Sequence, residues 1–239
     1  MSTLPTIVLF DVDGTLVTTP GCGRRALERA FAARYGRSAV LRDVRLDGMT
    51  DRGIARAGLA ALGVPSAGAA AETAIDALLA TYVPFLEEEV GQTTDLQLHR
   101  GVEPLLDTLA GDDGIAVGLG TGNIRAGARA KLHPLGAFER FPFGGFGCDH
   151  EDRTELLRIG AARGAARLGL PLASCRVVVV GDTPRDVAAA RAIGAVAIGV
   201  ASCRFSASEL LASGAARAFE DLADAGVLPA ITAAVELVP

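Results

Sequence analysis

A single lysine, Lys131, stands among 239 residues, so arginine carries nearly all the positive charge, and no block of basic residues occurs along the chain. With a formal net charge of -5 and no such block, phosphate-backbone binding is excluded, because it needs clustered Lys and Arg. No nucleic-acid partner is expected. The excess of alanine and arginine reads as genomic composition rather than function. Long apolar runs are also missing: no uninterrupted stretch approaches the ~20 residues of a membrane helix. That predicts a soluble, cytoplasmic protein with no membrane partner. The amino terminus has no basic opening, and its apolar run leads straight into Asp11, which is unlike a signal peptide. Cysteines are few. Cys22, Cys148, Cys175 and Cys203 show no CxxC spacing and have only His150 nearby, which excludes a thiolate metal site and a disulfide framework and leaves free thiols in a reducing compartment.

What the chain does have is apolar content, 50% by residue, enough for one large core or a core with a smaller domain. Residues 6–10 are a β-rich run, the pattern of a strand buried on both faces. Similar runs recur at 115–119, more weakly at 143–146, then at 176–180 and 196–200. Helical patterns lie between them, at 155–168 and 184–193 among others. This alternation predicts an α/β fold with a doubly wound parallel sheet. Residues 17–97 depart from it. They contain helices, at 27–35, at 52–62 with Asp51 as the cap, and at 69–82, but no convincing strand. The expected organisation is a Rossmann-like core of residues 1–16 and 98–239, with a small helical cap domain of residues 17–97 inserted after the first strand.

Polar residues gather where the strands end. Asp11 and Asp13 follow the first strand, point the same way if the chain stays extended, and precede Gly14, which permits a sharp turn. The second run ends in Gly120-Thr121-Gly122-Asn123, a hydroxyl between glycines ahead of a helix, which reads either as a tight turn or as a phosphate site. The valine run ends in Gly181-Asp182-Thr183-Pro184-Arg185-Asp186. In a parallel sheet all of these meet at the carboxyl edge, where open α/β sheets bind ligands. Four carboxylates in one crevice repel one another unless a cation lies among them. Mg²⁺ fits: it takes oxygen ligands and keeps positions open for water and a substrate phosphate.

Asp11-Val12-Asp13-Gly14-Thr15-Leu16, Thr121 after an apolar strand, and Gly181 to Asp186 together resemble the ordered motifs of the haloacid dehalogenase superfamily. The resemblance covers the whole chain, with the helical insert in the place of that superfamily's cap, as in its phosphoglycolate phosphatase and β-phosphoglucomutase-like group. It implies a Mg²⁺-dependent phosphatase acting on a small phosphorylated metabolite through an aspartyl-phosphate. Asp11 would be the nucleophile and Asp13 the acid and base. The metal would be held by Asp11, the Asp13 backbone carbonyl and Asp182, with Asp186 in support, and Thr121 and Gly122 would hold the phosphoryl oxygens. An ionised Asp11 needs no base, whereas Asp13 needs a raised pKa, toward which the surrounding acids push it.

The superfamily's lysine after the third strand is absent. Arg153 is the candidate cation in its place, with a planar fork suited to phosphoryl oxygens. Lys131 is set aside, because ten residues of helical rise beyond Thr121 carry it away from the strand ends. Asp13 disfavours dehalogenation, which needs no acid there. The lack of lysine in residues 17–97 disfavours phosphonate cleavage, which employs a cap lysine. A phosphomutase shares the core and cap and stays open. A phospho-receiver signalling module or an idle binding protein would belong to a different class, and neither requires both the insert and all four acids. Specificity is expected in the cap, with Arg24, Arg25 and Arg52 as candidates, and cap movement is expected near residues 17–21 and 93–99. The oligomeric state is not legible.

Overall fold

Residues 4–233 are described by a computed structural model. The first apolar run becomes strand β1 (Thr6–Phe10), and every one of its residues is buried. A two-residue strand β2 (Val17–Thr18) follows, then helices α1 (Cys22–Tyr35), α2 (Asp51–Ala61) and α3 (Ala69–Gln92), and strand β3 (Gln97–Leu98). The chain then alternates: α4 (Val102–Ala110), β4 (Ile115–Thr121), α5 (Arg125–Leu132), β5 (Gly144–Phe146), α6 (Arg153–Leu168), β6 (Arg176–Gly181), α7 (Pro184–Ala192), β7 (Val196–Val200), α8 (Ala207–Ala212), β8 (Arg217–Phe219) and α9 (Val227–Thr232).

Six strands form one parallel sheet in the order β5-β4-β1-β6-β7-β8. The α/β class and the doubly wound sheet expected from the strand and helix alternation are both present. Side chains alternate across β1. Val8 and Phe10 join the core beneath α4, α5 and α9, while Ile7 and Leu9 pack against α6 and α7 on the opposite face. Register positions the chemistry. Phe10 lies beside Leu119 of β4 on one side and beside Val180 of β6 on the other. The residues that follow each strand therefore emerge at one level of the sheet.

Strand β8 was not legible, because Arg-Ala-Phe at a sheet edge lacks the apolar run that marked the others. The short β2 and β3 were missed for the same reason. They pair antiparallel, Val17 with Leu98 and Thr18 with Gln97, and the Thr18 hydroxyl lies 2.7 Å from His99 Nε2. Both passages between the sheet and the helices thus run through one small ribbon.

Helices α1, α2 and α3 share a core of their own, built on Leu27, Phe31, Ile54, Leu59, Ile75 and Leu78. Thr50, rather than Asp51, caps α2, its hydroxyl accepting from the Gly53 N–H at 3.1 Å. Helix α3 runs well past the expected end at Tyr82 and through Pro84. Its 24 residues are long and apolar enough to cross a membrane, although Glu72 and Asp76 interrupt the apolar run in the sequence. Its apolar side is engaged inside the protein, with Ile75, Leu78, Tyr82 and Leu86 buried against α1 and α5. Helices α1 and α2 approach closely at Gly58, where a Cβ would meet Phe31 Cζ at 2.2 Å. Gly58→Ala is expected to destabilise the protein by about 1–3 kcal/mol through overpacking. A urea midpoint equal to that of the parent would show that the Phe31 ring turns aside freely.

Candidate active site

Asp11 leaves the sheet directly after β1, its N–H bonded to the Val180 carbonyl at 2.9 Å. The turn that follows depends on Gly14, at φ 79°, where a Cβ would lie 2.3 Å from Asp182 Oδ2. Glycine is required there twice over, by the left-handed backbone and by the closeness of Asp182. Strand β6 delivers Asp182, and Thr183 caps α7 in a reciprocal box with Asp186. The cap of α7 is thus Thr183, and Asp182 is left free for the cluster. Asp11, Asp182 and Asp186 are all buried, and each offers an oxygen within 4.8 Å of the others.

Arg153 opens α6 and reaches into this cluster. Its Nη1 bonds to Asp186 Oδ1 and lies 3.5 Å from Asp11 Oδ2, and the side chain is only 9% exposed. The neighbouring acids hold its pKa above the ordinary arginine value against the opposing effect of burial. One guanidinium does not balance three acids. Burial, opposed by Arg153, raises the Asp11 carboxyl to about 6. Burial, joined by the charges of Asp186 and Asp11, raises Asp182 to about 9. Asp11 Oδ1 is buried with no hydrogen-bond partner among the described residues. An orphaned carboxylate oxygen beside an uncompensated acid, in an all-oxygen donor set, fits a hard divalent cation such as Mg²⁺.

Asp13 belongs to a different network. Its Oδ2 accepts from Lys131 Nζ at 2.6 Å and from Asn123 Nδ2 at 2.8 Å, and its Oδ1 accepts from the Thr19 hydroxyl at 3.0 Å. Lys131 also donates to Asn123 Oδ1 at 2.6 Å. The distance argument against Lys131 is therefore wrong. Helical side chains lean toward the amino terminus, and a lysine stem is long enough to recover most of a two-turn rise. Lys131 serves Asp13, however, while Arg153 serves Asp11. The expectation of a raised Asp13 pKa also fails in this arrangement. Burial pushes it up, but the Lys131 charge and the hydrogen bonds from Lys131, Asn123 and Thr19 hold it below the usual carboxylate value.

Thr121 ends β4 with its hydroxyl buried, accepting from Asn123 Nδ2 at 2.9 Å and from the Asn123 N–H at 3.2 Å. The Gly122 turn that follows is held from above. Its carbonyl accepts the Asp51 N–H at 2.8 Å, and Asp51 Oδ2 accepts the Ile124 N–H at 2.8 Å. Asp51, expected as a helix cap, is thus a buried bolt between the helical layer and the Thr121 turn. Further bonds join the layers. The Thr50 hydroxyl donates to the Glu151 carbonyl at 3.0 Å, Arg56 Nη2 to the Glu151 carboxylate at 2.7 Å, and Arg204 to Asp47 at 2.5 Å. An open cavity of 760 Å³ lies here, and its walls include Asp11, Asp13, Asn123, Lys131, Arg153 and Asp182.

The cap arginines divide. Arg24 borders the cavity, and its Nη1 and Nη2 donate to the Leu41 and Val44 carbonyls, at 2.5 and 2.9 Å. Arg25 pairs with Glu89, and Arg52 with Glu72 and Asp76. Neither Arg25 nor Arg52 borders the cavity, so as specificity candidates both require correction. Each follows the ordinary rule that a charged side chain on the outer face of a helix finds a partner on the next helix. Asp51 borders the cavity, as does Asn123, the polar residue ending the Gly-Thr-Gly turn, while Tyr82 borders it unforeseen, with no signal in the sequence.

The family model for haloacid dehalogenase-like hydrolases matches residues 5–194. A phosphoglycolate phosphatase from Rhodospirillum rubrum is 32% identical over 231 residues, covering 93% of this chain and 90% of that protein. Among solved structures, CbbY from Rhodobacter sphaeroides in complex with phosphate is similar with a TM-score of 0.71 at 21% identity, covering 95% and 99% of the two chains. A putative β-phosphoglucomutase from Thermotoga maritima is similar with a TM-score of 0.57 at 22% identity, covering 96% and 100%. Motifs, sheet and sequence match agree, and the chain belongs to the haloacid dehalogenase-like hydrolase family.

Proposed function

We propose that this phosphatase hydrolyses a small phosphorylated metabolite of the phosphoglycolate or sugar-phosphate type, with Asp11 as nucleophile and Mg²⁺ as cofactor. The observation that carries the proposal is the shared strand register, which puts Asp11, Thr121 and Asp182 at one level beneath the helical layer. The name of the Rhodospirillum rubrum relative supports hydrolysis of a phosphomonoester over a mutase reaction.

In this reading Asp11 attacks the phosphorus, the ester oxygen departs, and an aspartyl-phosphate forms. Asp13 gives its proton to the departing oxygen, then takes one from the water that splits the acyl phosphate, which regenerates Asp11 and releases phosphate. The incoming phosphate dianion adds negative charge beside Asp13 and opposes Lys131, which favours the protonated carboxyl the first step needs. The Thr121 hydroxyl, the Gly122 N–H and Arg153 hold the phosphoryl oxygens. Asp11, the Asp13 backbone carbonyl and Asp182 would hold Mg²⁺, with Asp186 supporting through Arg153. When bound, the ion neutralises charge between the nucleophile and the phosphoryl group.

A panel of phosphorylated metabolites assayed with Mg²⁺ and again after chelation tests the reading. Phosphate release is expected to fall on the order of 10²-fold or more on chelation and to return with added Mg²⁺. Release from no member of the panel, or release indifferent to chelation, would end the proposal.

A further inference from the structure

One polar group bordering the cavity is buried without a partner among the described residues and takes no part in the proposed reaction. Tyr82, on α3, is wholly buried, and its hydroxyl finds no hydrogen-bond partner among the described residues. A buried hydroxyl without a partner is costly in a folded protein and rarely accidental. Two neighbours define what it faces. A Cβ placed on Gly23 would lie at contact distance, 3.8 Å from the Tyr82 hydroxyl and 3.7 Å from Lys131 Nζ, so the missing side chain leaves an opening of about one methyl group against both. Lys131 has three N–H bonds and commits two, to Asp13 and Asn123; the third has no acceptor among the described residues. Gly23, Tyr82 and Lys131 all border the cavity.

Lys131 fixes the position of this opening along a substrate. Its ammonium is 2.6 Å from the Asp13 carboxylate, and Asp13 must meet the ester oxygen that leaves. A group bonded to both Lys131 and Tyr82 is therefore a few ångströms from that oxygen, on the next carbon of the substrate. Charge decides its character. The positive charge of Lys131 is already answered by Asp13, and Asp51 adds a further carboxylate close by. A second anion would meet a lysine already paired, with two carboxylates beside it, whereas a hydroxyl could accept from Lys131 and exchange a hydrogen bond with the tyrosine.

We propose that Tyr82 is a specificity-determining residue whose hydroxyl, together with Lys131, binds a hydroxyl on the carbon next to the phosphate ester. The preferred substrates are then monophosphates of vicinal diols. This rests on the phosphatase reading above and narrows it.

The experiment compares kcat/KM for 2-hydroxyethyl phosphate, ethyl phosphate and phosphoglycolate in the parent enzyme, Tyr82→Phe and Gly23→Ala, with thermal melting of all three proteins. The parent is expected to favour 2-hydroxyethyl phosphate over ethyl phosphate by roughly 10–100-fold, the range for a site whose polar groups are left unpaired by the poorer substrate. Tyr82→Phe should bring that ratio to within about threefold of unity. Its Tm should not fall, because the lost hydroxyl makes no bond in the folded protein. Gly23→Ala should also reduce the ratio by filling the opening, while the better helix former keeps Tm level or higher. No preference in the parent, a preference that survives Tyr82→Phe, or a preference for phosphoglycolate over the diol ester would overturn the inference while the phosphatase stands. Release from none of the three esters, if the wider panel also fails, would overturn both.

Discussion

Asp11→Asn is expected to lose turnover by about 10⁴-fold or more while the protein remains folded. A carboxamide cannot form the acyl phosphate, and removing a covalent nucleophile typically costs orders of magnitude in kcat. Folding responds differently. Burial raises the Asp11 carboxyl to about 6, so at pH 7 without a divalent cation its charge opposes the native state. The neutral amide relieves that repulsion, and the melting temperature of the metal-free variant should equal or exceed that of the parent. Phosphate release and melting curves from the same preparation separate the two effects. Activity near the parent level would remove Asp11 from the mechanism. Asp13→Asn is the informative companion. It too should stop turnover, yet it should still accumulate phosphoenzyme from a substrate whose leaving group departs without an acid.

Arg153→Ala should have the second largest effect, on stability and activity together. The guanidinium is buried between Asp186 and Asp11, and removing one partner from a buried ion cluster costs roughly 3–5 kcal/mol because the acids left behind stay uncompensated. Chelated protein should show this in full by urea denaturation. Mg²⁺ should restore part of the loss by supplying positive charge to the same acids. Turnover should fall by on the order of 10²–10³-fold, the scale for losing one preorganised donor to a developing oxyanion. Arg153→Lys should recover charge but not the planar fork suited to two phosphoryl oxygens. Undiminished turnover in Arg153→Ala would assign the phosphoryl cation elsewhere, with Lys131 the next to test.

The sheet and the acid cluster were legible because both follow from local pattern. The valines of β6 and the run before Asp11 mark strands, and carboxylates placed just after them must emerge at the carboxyl edge. The second network was not legible, because its members come from distant parts of the chain. Asp51 looked like a cap since Asp is a common cap residue, but Thr50 one position earlier takes that role and frees Asp51 to cross to Ile124. Lys131 was judged by distance along a helix axis, without the reach and backward lean of its side chain. Arg25 and Arg52 failed for the opposite reason. Their charge was visible in the sequence, but Glu89, Glu72 and Asp76, which satisfy it, lie on a different helix.

The ribbon of β2 and β3 has a mechanical consequence. Two independent tethers would let the helical layer slide, twist and tilt over the sheet. Tied together by Val17–Leu98 and Thr18–Gln97, they suppress sliding and shear and leave tilting as the soft degree of freedom. Tilting lifts the side farthest from its axis first. Asp47–Arg204 and Arg56–Glu151 resist such a tilt, and the first, being exposed, is a pair that water can replace at little cost. Opening of the cavity is thereby reduced to a tilt, and the exposed Asp47–Arg204 pair is the inter-layer contact that water competes for most readily.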